Sequence, residues 1–157
     1  MSDILIVGIG NPFRGDDGAG WAVIDALEKK IKSGVMLRKI HGDIVELMDI
    51  FEHYSSVYLV DACCMDAPPG FWQRINAHRH TLPLDNPQTS THGLSLSQAI
   101  ALAKTLDQVP SKLSIYAITG DQYNIGTTLS PPVAGIIEMI AQNIFNEEDI
   151  QSCMKKE

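Results

Sequence analysis

Three segments place chemically capable side chains where a strand gives way to a loop or a helix. The first is Gly8-Ile9-Gly10-Asn11-Pro12-Phe13-Arg14-Gly15-Asp16-Asp17-Gly18, a glycine-rich loop closed by an acidic pair. The second is Asp61, behind the apolar run Val57-Tyr58-Leu59-Val60. The third is His92, in Ser90-Thr91-His92-Gly93-Leu94. Two carboxylates and one imidazole suit a divalent transition ion with open coordination positions. Each residue also has a plainer reading. Asp16 and Asp17 suit the first turn of a helix, where aspartate caps and meets the dipole. Capping is the simpler reading for Asp17 taken alone, and for Asp16 the two readings balance. Asp61 can close a turn through nearby amides. Its neighbour Asp66, in Asp66-Ala67-Pro68-Pro69-Gly70, has the composition of a surface turn. His92 can be a solvated side chain beside a helix start. His41 ends an apolar strand and would face the same crevice, whereas His53 lies near a helix end and His78 and His80 fall in a surface loop.

Other chemistries fit less well. A dinucleotide fingerprint beginning at Gly8 requires glycine at position 13, where Phe13 stands. Asp16 and Asp17 would repel a pyrophosphate at the helix N-terminus. No Ser/His/Asp triad is evident, and Cys63 and Cys64 have no recognisable base partner. The net charge of −7 disfavours nucleic acid and anionic membranes. The three cysteines, Cys63, Cys64 and Cys153, are odd in number and two are adjacent, so no disulfide framework is expected. Ile4-Leu5-Ile6-Val7 is strand-length rather than a leader, and no run reaches the roughly 18 apolar residues of a membrane span. The expected location is cytoplasmic.

The elements that must position these residues alternate. Residues 3–8 form an apolar run suited to a strand buried on both faces. Residues 17–32 read as a helix with a stripe of Val23, Ile24, Leu27 and Ile31, and Gly34 stands where a C-terminal cap would be. Strands follow at residues 35–40 and 56–60, the latter ending at Asp61, with a short helix at 44–51 between them. Residues 71–77 read as a fourth strand, a candidate for an antiparallel edge. A loop is expected over 78–91, a helix over 93–105 and a strand over 113–118. A long loop over 119–132 precedes a last helix with Val133, Ile136, Ile137, Ile140 and Ile144 on one face. The polar tail from about residue 146 is expected to fray. This alternation predicts an α/β fold: a single three-layer domain, its mostly parallel twisted sheet flanked by helices on both faces. Sites in such sheets form outside the carboxyl ends of the strands, which gathers the loop after Gly8, His41 and Asp61.

The segment from Gly8 to Gly20 resembles the opening signature of the hydrogenase maturation peptidases. Val60-Asp61-Ala62, Ser90-Thr91-His92-Gly93-Leu94 and Leu129-Ser130-Pro131-Pro132-Val133 resemble further motifs of that family, in the same order. The resemblance implies a twisted, mostly parallel sheet between helices. It implies that Asp17, Asp61 and His92 form a metal-sensing and catalytic triad. It also implies the partner: a nickel–iron hydrogenase large-subunit precursor, whose own nickel anchors the peptidase while it removes the C-terminal extension. Other divalent ions could substitute in the isolated protein. His41-Gly42-Asp43-Ile44-Val45-Glu46-Leu47 departs from the family patterns after the second strand, which leaves the hydrogenase type open. A non-catalytic assembly factor and a Rossmann-like nucleotide-binding protein are the rival readings.

Overall fold

Strand β1 (Ile4–Ile9) is buried along its whole length, as an uninterrupted apolar run requires when both sheet faces are covered. The computed structural model describes residues 3–63, 65–80 and 96–155. The other strands are β2 (Met36–Ile40), β3 (Ser56–Cys63), β4 (Trp72–Asn76) and β5 (Lys112–Thr119). They form one sheet in the order β2-β1-β3-β5-β4. All neighbours are parallel except β4, which runs antiparallel to β5 at the edge. The chain leaves β1 first towards β2 and then returns to β3 on its other side. The order therefore reverses at β1, and a crevice opens there.

Alternation along each strand divides the core. Leu5, Val7, Ile9, Val57, Leu59, Cys63, Leu113, Ile115 and Ala117 face one layer, made of α2 (Ile44–His53) and α3 (Leu96–Thr105). Ile4, Ile6, Tyr58, Val60, Ala62, Tyr116 and Ile118 face the other, made of α1 (Ala19–Glu28) and α5 (Ile137–Phe145). Asp61 and Thr119 have the parity of the first set.

Several boundaries differ from the sequence pattern, each for a local reason. The helix expected over 17–32 opens as a 3-10 turn (Gly15–Gly18) and ends as α1 at Glu28. Ile31 stays buried after the helix ends, so apolar spacing alone overstates its length. Gly34, with φ of 84°, packs against Cys153 instead of capping α1. The third strand continues past Asp61 to Cys63, paired with β5 throughout. The last helix is split: α4 (Pro131–Ala134) stops at Gly135, and α5 begins at Ile137. Past Asn146, where polar composition suggests fraying, the chain forms α6 (Glu148–Lys155) and buries Ile150 completely.

Gly20 explains how α1 lies so low on the sheet. A Cβ there would stand 2.5 Å from the Val60 carbonyl oxygen and 2.7 Å from that of Ile9. The helix thus starts directly over the β1–β3 seam, and the loop before it hangs at the crevice.

Candidate active site

The loop from Gly10 to Gly18 is folded back on itself by its own backbone. The Asn11 amide donates to the Asp17 carbonyl at 3.1 Å, and the Asp17 amide donates to the Arg14 carbonyl at 3.1 Å. Gly10 makes the closure possible: its φ is 146°, and a Cβ would fall 1.8 Å from the Asp17 carbonyl oxygen. No other residue type fits both demands. Asp17 is thereby held in the 3-10 turn, 5% exposed, above the end of β1.

Asp61 sits opposite Ile9 in β1 and Ala117 in β5. It is half-buried by surface area but densely enclosed by protein. That enclosure pushes its carboxyl well above the usual carboxylate range, and the negative charge of Asp17 adds to the rise, against a lowering hydrogen bond from the Ala62 amide. The 3-10 turn that carries Asp17 packs against β3, so both carboxylates lie at the carboxyl ends of the strands, where the charge of Asp17 bears on Asp61. Like charges so arranged favour a proton or a cation between them.

Asp16 has a different task. It is fully buried, and its side chain caps no helix end. One carboxylate oxygen accepts from the Ser130 amide at 2.7 Å. The other accepts from the Ser130 hydroxyl at 2.8 Å, the Asp121 amide at 2.7 Å and the Gln122 amide at 3.1 Å. Burial alone would raise its pKa, but these hydrogen bonds outweigh it and hold the carboxyl below the usual range. Asp16 thus ties the acidic loop to the loop before α4. The Asp16 amide donating to Gln122 and the Gly15 amide donating to Thr127 strengthen the tie.

His41 lies at the same end of the sheet. Its Nδ1 is 3.1 Å from the Gly10 carbonyl oxygen, and its ring packs 5.1 Å from that of Trp21. Asp66 is exposed in a bend. His53 ends α2 and bonds Asp49, and His78 bonds the Pro110 carbonyl. Both lie at the other end of the strands, His53 just before β3 begins and His78 just after β4 ends. Cys63 is buried, and the Cys153 thiol meets the Gly34 carbonyl. His92 and Cys64 lie outside the described residues. Among the described residues, no three His, Cys, Asp or Glu side chains form a group able to hold a metal ion.

Sequence reasoning gave no role to two residues at this end of the sheet, although one of them, Ser130, falls in a motif that carries the family resemblance. Ser130, the partner of Asp16, is 114 positions away; its signal was a serine before two prolines at a helix start. Thr119, the last residue of β5, is 3% exposed, and its hydroxyl has no hydrogen-bond partner among the described residues. Nothing in its sequence context marks it.

Together these observations define a doubly wound α/β domain with an acidic pair, Asp17 and Asp61, at the carboxyl ends of its strands. The profile of the hydrogenase maturation protease family (HycI) matches residues 23–147. The chain belongs to that family. It is 25% identical over 134 residues to the hydrogenase expression/formation protein HupD of Thiocapsa roseopersicina, an alignment covering 83% of this chain. The chain spans 61% of the length of that curated relative. Its fold is similar to the hydrogenase maturating endopeptidase HybD of E. coli, with a TM-score of 0.70, 18% identity and coverage of 92% of this chain and 90% of the other. An endopeptidase from Escherichia coli superposes with a TM-score of 0.75, 19% identity and the same 92% and 90% coverage. The hydrogenase maturation protease HycI of Thermococcus kodakarensis gives 0.67 at 23% identity, covering 90% of this chain and 88% of that one.

Proposed function

We propose that the protein is an endopeptidase that removes the C-terminal extension from a nickel-loaded hydrogenase large-subunit precursor in the cytoplasm. Nickel arrives with the substrate, and Asp17, Asp61 and His92 meet it. The observation that carries this reading is the carboxylate pair: Asp17 and Asp61 come from separate elements to the same end of the sheet, near enough for one charge to raise the pKa of the other. Such a pair holds a proton until a cation replaces it. In sequence, three residues separate His92 from Leu96, where α3 begins on the sheet face that Asp61 shares. That connectivity supports an imidazole completing the set. Carboxylate oxygens and imidazole nitrogen suit a borderline divalent ion. A precursor without nickel lacks the anchor and stays uncut.

Hydrolysis adds water to the carbonyl carbon and breaks the C–N bond, with a proton passing to the departing amine.

The test is direct. Asp17→Asn, Asp61→Asn and His92→Ala, each checked for folding by circular dichroism, are incubated with nickel-loaded precursor and resolved by gel. The expected result is loss of the size shift in all three. Full processing by all three would end this assignment.

A further inference from the structure

Resting on that reading of the site, we infer that His41 is a positioning residue for Asp17, acting through one peptide plane. The peptide unit between Gly10 and Asn11 carries both links. Its carbonyl oxygen, from Gly10, lies 3.1 Å from His41 Nδ1. Its amide, from Asn11, donates to the Asp17 carbonyl at 3.1 Å. A carbonyl oxygen only accepts, so Nδ1 carries the proton of the first bond. A peptide unit is planar and stiff. Any rotation that frees the Gly10 oxygen from His41 therefore also turns the Asn11 amide away from Asp17. His41 and Asp17 come from separate segments, yet one rigid group couples them.

The loop cannot hold this plane by itself. Gly10 has a φ of 146°, a conformation that glycine leaves as easily as it enters. Bonds from outside must fix it. The Gly10 amide donates to the Ile40 carbonyl at 3.0 Å, and the same oxygen accepts from Trp21 Nε1 at 2.9 Å. The His41 ring rests 5.1 Å from that of Trp21. The end of β2 thus grips both polar groups of Gly10. Asp16 fastens the far end of the loop to Ser130, which leaves His41 to set the near end. Among the described residues His41 joins no cluster able to hold an ion, so its contribution passes through the backbone of Asp17.

The test sets His41→Phe against His41→Asn in the full chain. The first keeps a ring against Trp21 and loses the donor. The second loses the ring and offers a side-chain amide in place of Nδ1. His41 is exposed and lies outside both core clusters, so both variants are expected to melt near wild type. The readouts are hydrogen exchange of the Asn11 amide by NMR and kcat/KM on nickel-loaded precursor. In His41→Phe the Asn11 amide is expected to exchange about 10-fold faster, and kcat/KM to fall about 10-fold. His41→Asn is expected to recover most of both. An Asn11 amide that exchanges no faster in His41→Phe overturns the inference, whatever the processing rate. So does wild-type kcat/KM in that variant. A His41→Asn variant as slow as His41→Phe overturns it too, because ring packing would then be what matters. If wild-type protein does not process the precursor, the peptidase assignment falls, and exchange of the Asn11 amide then decides this inference alone.

Discussion

Asp16 and Asp61 are both enclosed carboxylates, and their surroundings drive them in opposite directions. Asp16 is below the usual range because hydrogen bonds from Asp121, Ser130 and Gln122 overcome its burial. It contributes stability above the unfolded pKa near about 3.9, and that contribution is lost as pH falls towards the lower folded value. Asp61 is raised by burial and by Asp17. Its folded form favours the proton, so its contribution is fully present below about pH 3.9 and is lost as pH rises through the folded pKa. Calorimetry at pH 7 should therefore find Asp61→Asn melting a few degrees above wild type, with the gap closing near pH 3. Asp16→Asn should be destabilised at pH 7 by about 3 kcal/mol, having lost charge-assisted bonds. Equal melting of Asp61→Asn and wild type at pH 7 would remove the charge conflict from the account. The sequence marked both positions, since a carboxylate behind a buried strand and one at a loop–helix junction are local signals. The residue pattern alone favoured capping for Asp17 and left Asp16 balanced, and only the family resemblance singled out Asp17, because the partners of Asp16 come from beyond residue 120 and contacts between loops leave no periodic trace.

At the scale of elements, the sheet and the apolar stripe of α5 were legible, and the break at Gly135 and the helix α6 were not. Continuous apolar runs identified β1, β3 and β5, and the weaker amphipathic run at 71–77 was a candidate edge strand, as β4 is. The tail misled because its anchors are polar. Glu147 accepts from Arg74 Nε at 2.6 Å and from the Tyr116 hydroxyl at 2.6 Å. Asp149 accepts from the Tyr58 hydroxyl and pairs with Lys112 at 3.1 Å. Burial, followed by these hydrogen bonds to carboxylates, raises the pKa of both tyrosines. Two fully buried tyrosines reaching for the α5–α6 junction fasten α6 to the sheet, where low hydrophobicity would leave it loose. Glu147→Ala removes the carboxylate partner of Arg74 and leaves the Tyr116 hydroxyl with Asn143 as its remaining acceptor at 2.9 Å, and should cost about 2 kcal/mol in urea unfolding. A loss below about 0.5 kcal/mol would show that the junction is held by Ile144 and Ile150 alone.

For the whole molecule, the reversal of strand order at β1 is what gathers acidic residues from separate segments at one end of the sheet. The β1–β3 seam brings Asp17 and Asp61 near enough for the charge of one to bear on the other. The rule that α/β sheets bind at the carboxyl edge was enough to foresee this meeting. It was not enough to foresee Thr119, which becomes notable only when its hydrogen bonds are counted. No helix among the described residues is long and apolar enough to cross a membrane. The central claim is that the cleft selects its substrate by a cation the substrate carries. The most direct measurement is mass spectrometry of one precursor preparation, divided into nickel-loaded and nickel-free halves, before and after incubation with the wild-type protein. The account predicts a single cut near the C-terminus of the loaded half and an unchanged mass in the other. Equal cleavage of both halves, or of neither, would contradict it.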